Sequence, residues 1–313
     1  MKNSSPTICI VGSSNIDQIA YTDRVPDSGE TLIGKSFQMG FGGKGANQAI
    51  MAGILGANTY MITCLGDDAY ADMTIENYKK SNVNIDYIQR VPGSSGVAPI
   101  WVEKDGTNRI IVISGANDLL DVDKAITGIR AIESLTVVVG QFEIPQYVTF
   151  KVFDYCKGKG IQTILNPAPA QELDENLLEV SDWFIPNEVE FNIISKGGDS
   201  SNDKDIVRFS SEIKSNLIIT LGEDGAATVE GNDVVRVSAP NVKAIDTTGA
   251  GDAFNGAFAF GLSKGLNGKD SLKLSILVGS LSTTKKGCQP AMPTLKELIK
   301  SKLINKNEFS KIF

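Results

Sequence analysis

The feature that most constrains this chain is an alternation. Short, β-rich apolar runs of strand length are separated repeatedly by segments whose apolar residues recur at helical spacing. Residues 8–11 and 60–64 read as strands, with a helix-like 45–56 between them. Residues 137–139 lead into a helical 146–157, then a strand at 161–165 and a polar stretch holding 172–180. Residues 183–185, 189–195, 206–214 and 217–220 continue the pattern, and the last third (250–264, 271–284, 294–303) reads as helical. Strands separated by helices imply parallel βαβ units, with helices on both faces of the sheet and ligands at the carboxyl ends of the strands. The expected class is therefore α/β, with a three-layer α/β/α core around a mainly parallel central sheet.

Residues 18–40 and 97–113 break that rhythm. The first holds Pro26, Gly29 and Gly34 with no helical period; the second reads as a hairpin, 98–102 against 109–113 across a polar turn. A small β-sheet set on the main layer accommodates both, and such an attachment serves as a lid. The expected organisation is one domain over residues 1–313 with a discontinuous β lid formed by about 16–41 and 96–114. There is no internal repeat, low-complexity tract or linker-like run.

Composition narrows the chemistry. Thirty basic against 37 acidic residues give a net charge of −7, which argues against nucleic acid as a partner. The longest apolar runs, Leu135–Gly140 and residues 217–221, are strand-sized, far below the ~20 residues of a membrane span. The opening residues are polar and form no secretory leader, and Cys9, Cys64, Cys156 and Cys288 lie far apart with no CxxC pair. Both features suit a cytoplasmic protein with free thiols. The chain has no histidine at all. That removes Ser-His-Asp and Cys-His catalysis and histidine-ligated zinc, leaving Asp, Glu, Lys, Asn and backbone amides.

The strongest motif is Asp246-Thr247-Thr248-Gly249-Ala250-Gly251-Asp252, which runs directly into a helix. A helix start offers unpaired N–H groups and a partial positive charge, and small residues at 249–251 let an anion approach those amides. Asp252, directly after them, can accept a proton from an alcohol attacking phosphorus. The alternative is a helix entry in which Asp252 only complements the dipole. Gly42-Gly43-Lys44-Gly45-Ala46-Asn47 opens the first helix and offers amides, a cation and a carboxamide suited to hydroxyls. It matches neither a Walker A loop nor a GxGxxG fingerprint, and alone reads equally as a glycine-rich turn.

Weaker signals fall at other strand ends. Asn15 and Asp17 follow the first strand, and a carboxylate with an amide suits vicinal hydroxyls, though the pair alone reads as a turn. Glu143 follows residues 137–140. Asn187 and Glu190 fit a capping box imperfectly, and Thr220-Leu221-Gly222-Glu223-Asp224-Gly225 follows another strand as a loop able to line a nucleotide.

Taken together, Asn15-x-Asp17, residues 42–47, Asn187-x-x-Glu190 and residues 246–252 resemble the signature set of the ribokinase-like carbohydrate kinases, also called the PfkB family, from about residue 8 to 298. Residues 42–47 and Asn166-Pro167-Ala168-Pro169-Ala170 resemble the ribose branch more than the fructose or adenosine branches. The resemblance implies transfer of the γ-phosphoryl of ATP to the 5-hydroxyl of D-ribose. It implies Asp252 as base, Gly249, Ala250 and Gly251 as anion hole, and Asn15, Asp17, Gly43, Lys44, Asn47 and Glu143 as sugar ligands. Asn187 and Glu190 would organise phosphate and Mg2+, with Thr220, Gly222, Gly225, Gly251 and Ile276 around the nucleotide. It further implies a K+ activator near Asp246, Thr248, Ser282, Lys285, Gly287 and Ala291, and a homodimer through the lid. Relatives often have serine at the position of Ala291 and a polar residue at that of Ile276. A kinase for another pentose, deoxyribose or a nucleoside, and a non-catalytic sugar-binding protein, are the alternatives.

Overall fold

The computed structural model describes residues 7–303 and residue 309; the polar opening residues 1–6 lie outside the described residues. A nine-stranded sheet forms the middle layer. Its order is Asp233–Val237, Ala226–Glu230, Asn216–Thr220, Trp183–Phe184, Gln162–Leu165, Leu135–Gly140, Thr7–Val11, Asn58–Ile62 and Val83–Asn84. From Asn216–Thr220 to Val83–Asn84 every pairing is parallel. The two remaining strands form an antiparallel hairpin edge.

The strands alternate their apolar side chains between two cores. Ile8, Ile10, Val137, Val139 and Ile164 enter one, with the helices Lys44–Ile54, Ala250–Ser263 and Gly268–Ser282. Cys9, Val11, Val138 and Leu165 enter the other, with Val122–Ala131, Gln146–Cys156 and Asp203–Glu212. This is the three-layer α/β/α arrangement that the alternation implied. The helix Ala250–Ser263 is buried from Asp252 to Leu262. A helix apolar on all sides belongs inside a domain, so its first turn is held rigidly.

Thr7–Val11 lies between Leu135–Gly140 and Asn58–Ile62. The chain builds outward from it in one direction through Asn58–Ile62 and in the other through Leu135–Gly140. Connections therefore diverge beyond the carboxyl ends of Thr7–Val11 and Leu135–Gly140, and the crevice they leave is where open α/β sheets bind ligands.

A separate four-stranded sheet has the order Ser36–Gly42, Asn15–Tyr21, Gly96–Val102 and Asn108–Ile110. The last strand is shorter than the expected 109–113: beyond Ile110 only Ile113 keeps a bridge, to Val97. The helix expected at 294–303 is confined to Leu295–Lys300, started by a reciprocal Thr294–Glu297 capping box. The helix expected from residue 271 begins at Gly268, because the Asn267 side chain caps it. Helices Ala69–Lys80 and Val122–Ala131 and the hairpin edge were not anticipated from the sequence. No helix among the described residues is long and apolar enough to cross a membrane.

Candidate active site

Asn15 and Asp17 are not a turn at the end of the first strand. They are the first and third residues of the strand Asn15–Tyr21 in the four-stranded sheet, opposite Gly42 and Gly40 in antiparallel register. A Cβ at Gly42 would lie 2.3 Å from Asp17 Oδ1, so only glycine leaves the carboxylate its space. Gly43 has φ 88°, and a Cβ there would come within 2.8 Å of the Asn15 amide nitrogen. The glycine pair thus lets Asn15–Tyr21 approach the start of helix Lys44–Ile54.

That helix start has no side-chain cap of its own. Glu143 supplies one from the end of another strand: its Oε2 accepts from the Lys44 amide at 2.8 Å and from the Ser13 hydroxyl at 2.5 Å. A carboxylate is favoured there by the helix dipole. Burial disfavours charge on the Lys44 ammonium, yet Asp252, Glu143 and Glu190 outweigh burial and hold its pKa above the ordinary lysine value. Burial, reinforced by Glu143 and Asp252, pushes Asp17 up to about 6.

Asp252 sits in the first turn of Ala250–Ser263, only 7% exposed. Its Oδ2 accepts from Asn47 Nδ2 at 2.8 Å and its Oδ1 from Gln48 Nε2 at 3.1 Å. Burial raises its pKa, opposed by Lys44 and by these two amides. Gly249, at φ 75°, starts the helix without a side-chain cap. The first turn therefore carries amides for an anion beside a buried carboxylate.

On the other side of this turn lies a cavity of about 520 Å³, of nucleotide size. Thr220, Gly222, Gly225, Gly251 and Ile276 all line it, together with Ala250. Sequence reasoning missed Ala239, Asn241, Phe254, Gly279 and Thr283, which also line the wall. Asn187 and Glu190 are not among the lining residues. They form a complete reciprocal capping box at 2.8 Å each way, rather than the imperfect one expected. Burial raises the pKa of Glu190, which is 5% exposed.

Of the residues expected around a monovalent cation, Asp246 ties together Thr248 and Gly287. Its Oδ1 accepts from the Thr248 amide at 3.0 Å and its Oδ2 from the Gly287 amide at 2.8 Å, joining the two turns. Ser282 is buried and donates to Gly279 O at 2.7 Å. The Lys285 ammonium extends to the surface and pairs there with Glu297, both side chains being 43% exposed. Ala291 is fully buried. No cluster of three or more Asp, Glu, His or Cys side chains suited to a metal occurs among the described residues.

Further site residues carry no motif. Gln48, Ser13 and Gln289 each bond a group named above, and Asn117 Nδ2 donates to Asn15 Oδ1 at 2.8 Å. The amide content of residues 47–48 was the only local signal.

A nine-stranded α/β sheet, a smaller separate β-sheet carrying Asp17, and a buried carboxylate between a polar cluster and a nucleotide-sized cavity define a carbohydrate kinase. Residues 5–295 match the pfkB family carbohydrate kinases. The chain belongs to that family. It is 37% identical over 300 residues to the deoxyribokinase of Salmonella typhi, covering 93% of this chain and 96% of the relative. It is also 37% identical over 292 residues to the ribokinase of Bacillus subtilis, covering 93% and 97%. The structure of Arabidopsis thaliana ribokinase complexed with ribose and ATP superposes with a TM-score of 0.88 at 29% identity, covering 96% of this chain and all of that one.

Proposed function

We propose that the protein phosphorylates D-ribose at its 5-hydroxyl with ATP. The observation that carries this reading is Asp252: a buried carboxylate at a helix start, with Asn47 and Lys44 on the polar side and the 520 Å³ cavity on the other. In this reading Asn15, Asp17, Gly43, Lys44, Asn47 and Glu143 hold the sugar. Asp252 accepts the proton of the primary hydroxyl as the oxygen attacks the γ-phosphorus, and the raised pKa strengthens it as a base. In this reading the amides of Gly249, Ala250 and Gly251 take the charge that develops on the transferring group, the Ala250 N–H leaving the bond of 3.2 Å that it makes to Thr247 O. ATP supplies the phosphoryl group, and Mg2+, when bound with it, would neutralise charge on the phosphates. One buried carboxylate, Glu190, with Asn187 fits magnesium, which keeps most of its waters and needs few protein ligands.

The donor set around Asp246 fits potassium better than a divalent ion. In this reading the carboxylate is engaged by two amides, and the ion would be held by other oxygens of Asp246, Thr248, Ser282, Lys285, Gly287 and Ala291, several of them backbone carbonyls. The exposed apolar side chains of the lid, Phe37, Ile110 and Ile111, support a homodimer through this sheet. Sedimentation at micromolar concentration tests it: a dimer that Phe37→Glu turns into a monomer is expected, and a monomeric wild type removes it.

The identity to a deoxyribokinase favours 2-deoxyribose as the second reading. A coupled ADP assay over ribose, 2-deoxyribose, other pentoses and nucleosides separates the two. Highest kcat/KM on ribose is expected, and a higher value on 2-deoxyribose replaces the first reading by the second.

A further inference from the structure

Each amide that donates to Asp252 has its own oxygen tied by a second glutamine. Asn47 Oδ1 accepts from Gln289 Nε2 at 2.9 Å, and Gln48 Oε1 accepts from Gln141 Nε2 at 2.7 Å. Gln289 is oriented in turn: its Oε1 accepts from Asn77 Nδ2 at 2.8 Å. A carboxamide can present either its oxygen or its NH2, and here both choices are removed by bonds made at its other end. We infer that Gln289, itself named by no motif of the site although its turn ends at Ala291, is a positioning residue that fixes the Asn47 amide with its NH2 toward Asp252. This rests on the reading of Asp252 as base.

The chain Asn77–Gln289–Asn47–Asp252 joins helix Ala69–Lys80, the 289–291 turn, helix Lys44–Ile54 and helix Ala250–Ser263. Asn47 and Gln289 are almost fully buried, so water does not compete for these bonds. If Asn47 turned over, its oxygen would face the carboxylate, and Asp252 would lose a donor and gain a repulsive dipole. The carboxylate would then ionise less readily and stand less squarely toward the sugar hydroxyl. The charged and titratable groups around it are Lys44, Glu143, Asp17, Glu190 and Cys288. None of them supplies the donor that Asn47 gives.

Polarity separates this role from simple packing. Gln289→Glu keeps the shape but replaces the donor by an acceptor, so the introduced carboxylate competes with Asp252 for the Asn47 NH2. Gln289→Met keeps the volume and removes the bonds, leaving Asn47 to orient on Asp252 alone. The experiment measures kcat, KM for ATP and KM for sugar in both variants, and follows the Asp252 carboxyl by 13C NMR, assigned by its loss in Asp252→Asn. Gln289→Glu is expected to lower kcat by about 10- to 100-fold with the KM for ATP within about twofold, and Gln289→Met by less. The Asp252 titration moves to higher pH in Gln289→Glu. A kcat for Gln289→Glu within about threefold of wild type, or a larger loss in Gln289→Met, overturns the inference. If the wild type phosphorylates no sugar, the kinase reading fails by itself, and the carboxyl titration still decides the positioning.

Discussion

Gly249 and Cys288 are packed so closely that a Cβ on Gly249 would lie 2.1 Å from the Cys288 sulfur. Gly249 also has φ 75°, where a side chain is strained by roughly 1–2 kcal/mol. Gly249→Ala therefore either displaces the 288–291 turn or rotates the 249–251 amides. At least about a tenfold loss of kcat is expected, since misaligned oxyanion donors cost this and more. The double variant Gly249→Ala/Cys288→Ala removes the sulfur and recovers part of the loss, the φ strain remaining. Steady-state kinetics on the three variants checks this; a double variant no better than Gly249→Ala alone assigns the damage to the backbone.

Asp252→Asn keeps the shape of the side chain and one accepting oxygen, gives up the other amide contact because its NH2 meets a donor, and removes the base. Sugar affinity by calorimetry is expected to stay within about threefold, and kcat to fall by on the order of 10²–10⁴. Turnover within tenfold of wild type would show that the proton leaves by another group.

Asp17 gives the site a pH dependence. Burial and the carboxylates of Glu143 and Asp252 raise its pKa from 3.8 to about 6, so its accepting, ionised form is lost as pH falls through about 6. The KM for sugar is expected to rise below that pH, more steeply than the KM for ATP. Stability runs the other way. A folded pKa above the unfolded one means the contribution is present below about 3.8 and lost as pH rises through about 6. Asp17→Asn should therefore melt higher than wild type at pH 8, with the gap closing toward pH 4. A constant difference between the two melting curves would remove Asp17 as the titrating group.

Potassium should activate without changing the nucleotide's own contacts. Asp246 bonds the amides of Thr248 and Gly287, and Thr248 is followed directly by Gly249. An ion held by these turns fixes the conformation from which the 249–251 amides point. Ala291 offers no side-chain oxygen, so activation at a higher half-saturating concentration is expected than in a variant Ala291→Ser. Rates in potassium-free buffer, titrated with KCl against NaCl at constant ionic strength, measure it. Identical curves dismiss the ion and leave Asp246 as a clamp between two turns.

What local physics controls is legible along the chain. The alternation of β-rich runs and helical periods requires a layered α/β fold, because each element must bury one face. The heptad 246–252 carries its chemistry within seven residues: a glycine able to take φ 75°, two small neighbours and a carboxylate in the first helical turn. Nothing distant is needed to read it. In the half-exposed edge hairpin Ala226–Glu230 and Asp233–Val237, periodicity is too weak to mark a strand, and the segment that follows it, which brings Ala239 and Asn241 to the cavity, goes unread too. Long-range packing decided the rest. Asn15 and Asp17 read as a turn until the pairing with Gly42 and Gly40 makes them a strand. Glu143 caps a helix 99 residues away, and Gln289 meets Asn47 across 242 residues. The pattern of apolar residues says which face of an element is buried, but a buried polar group bonds whichever partner the packing brings within about 3 Å.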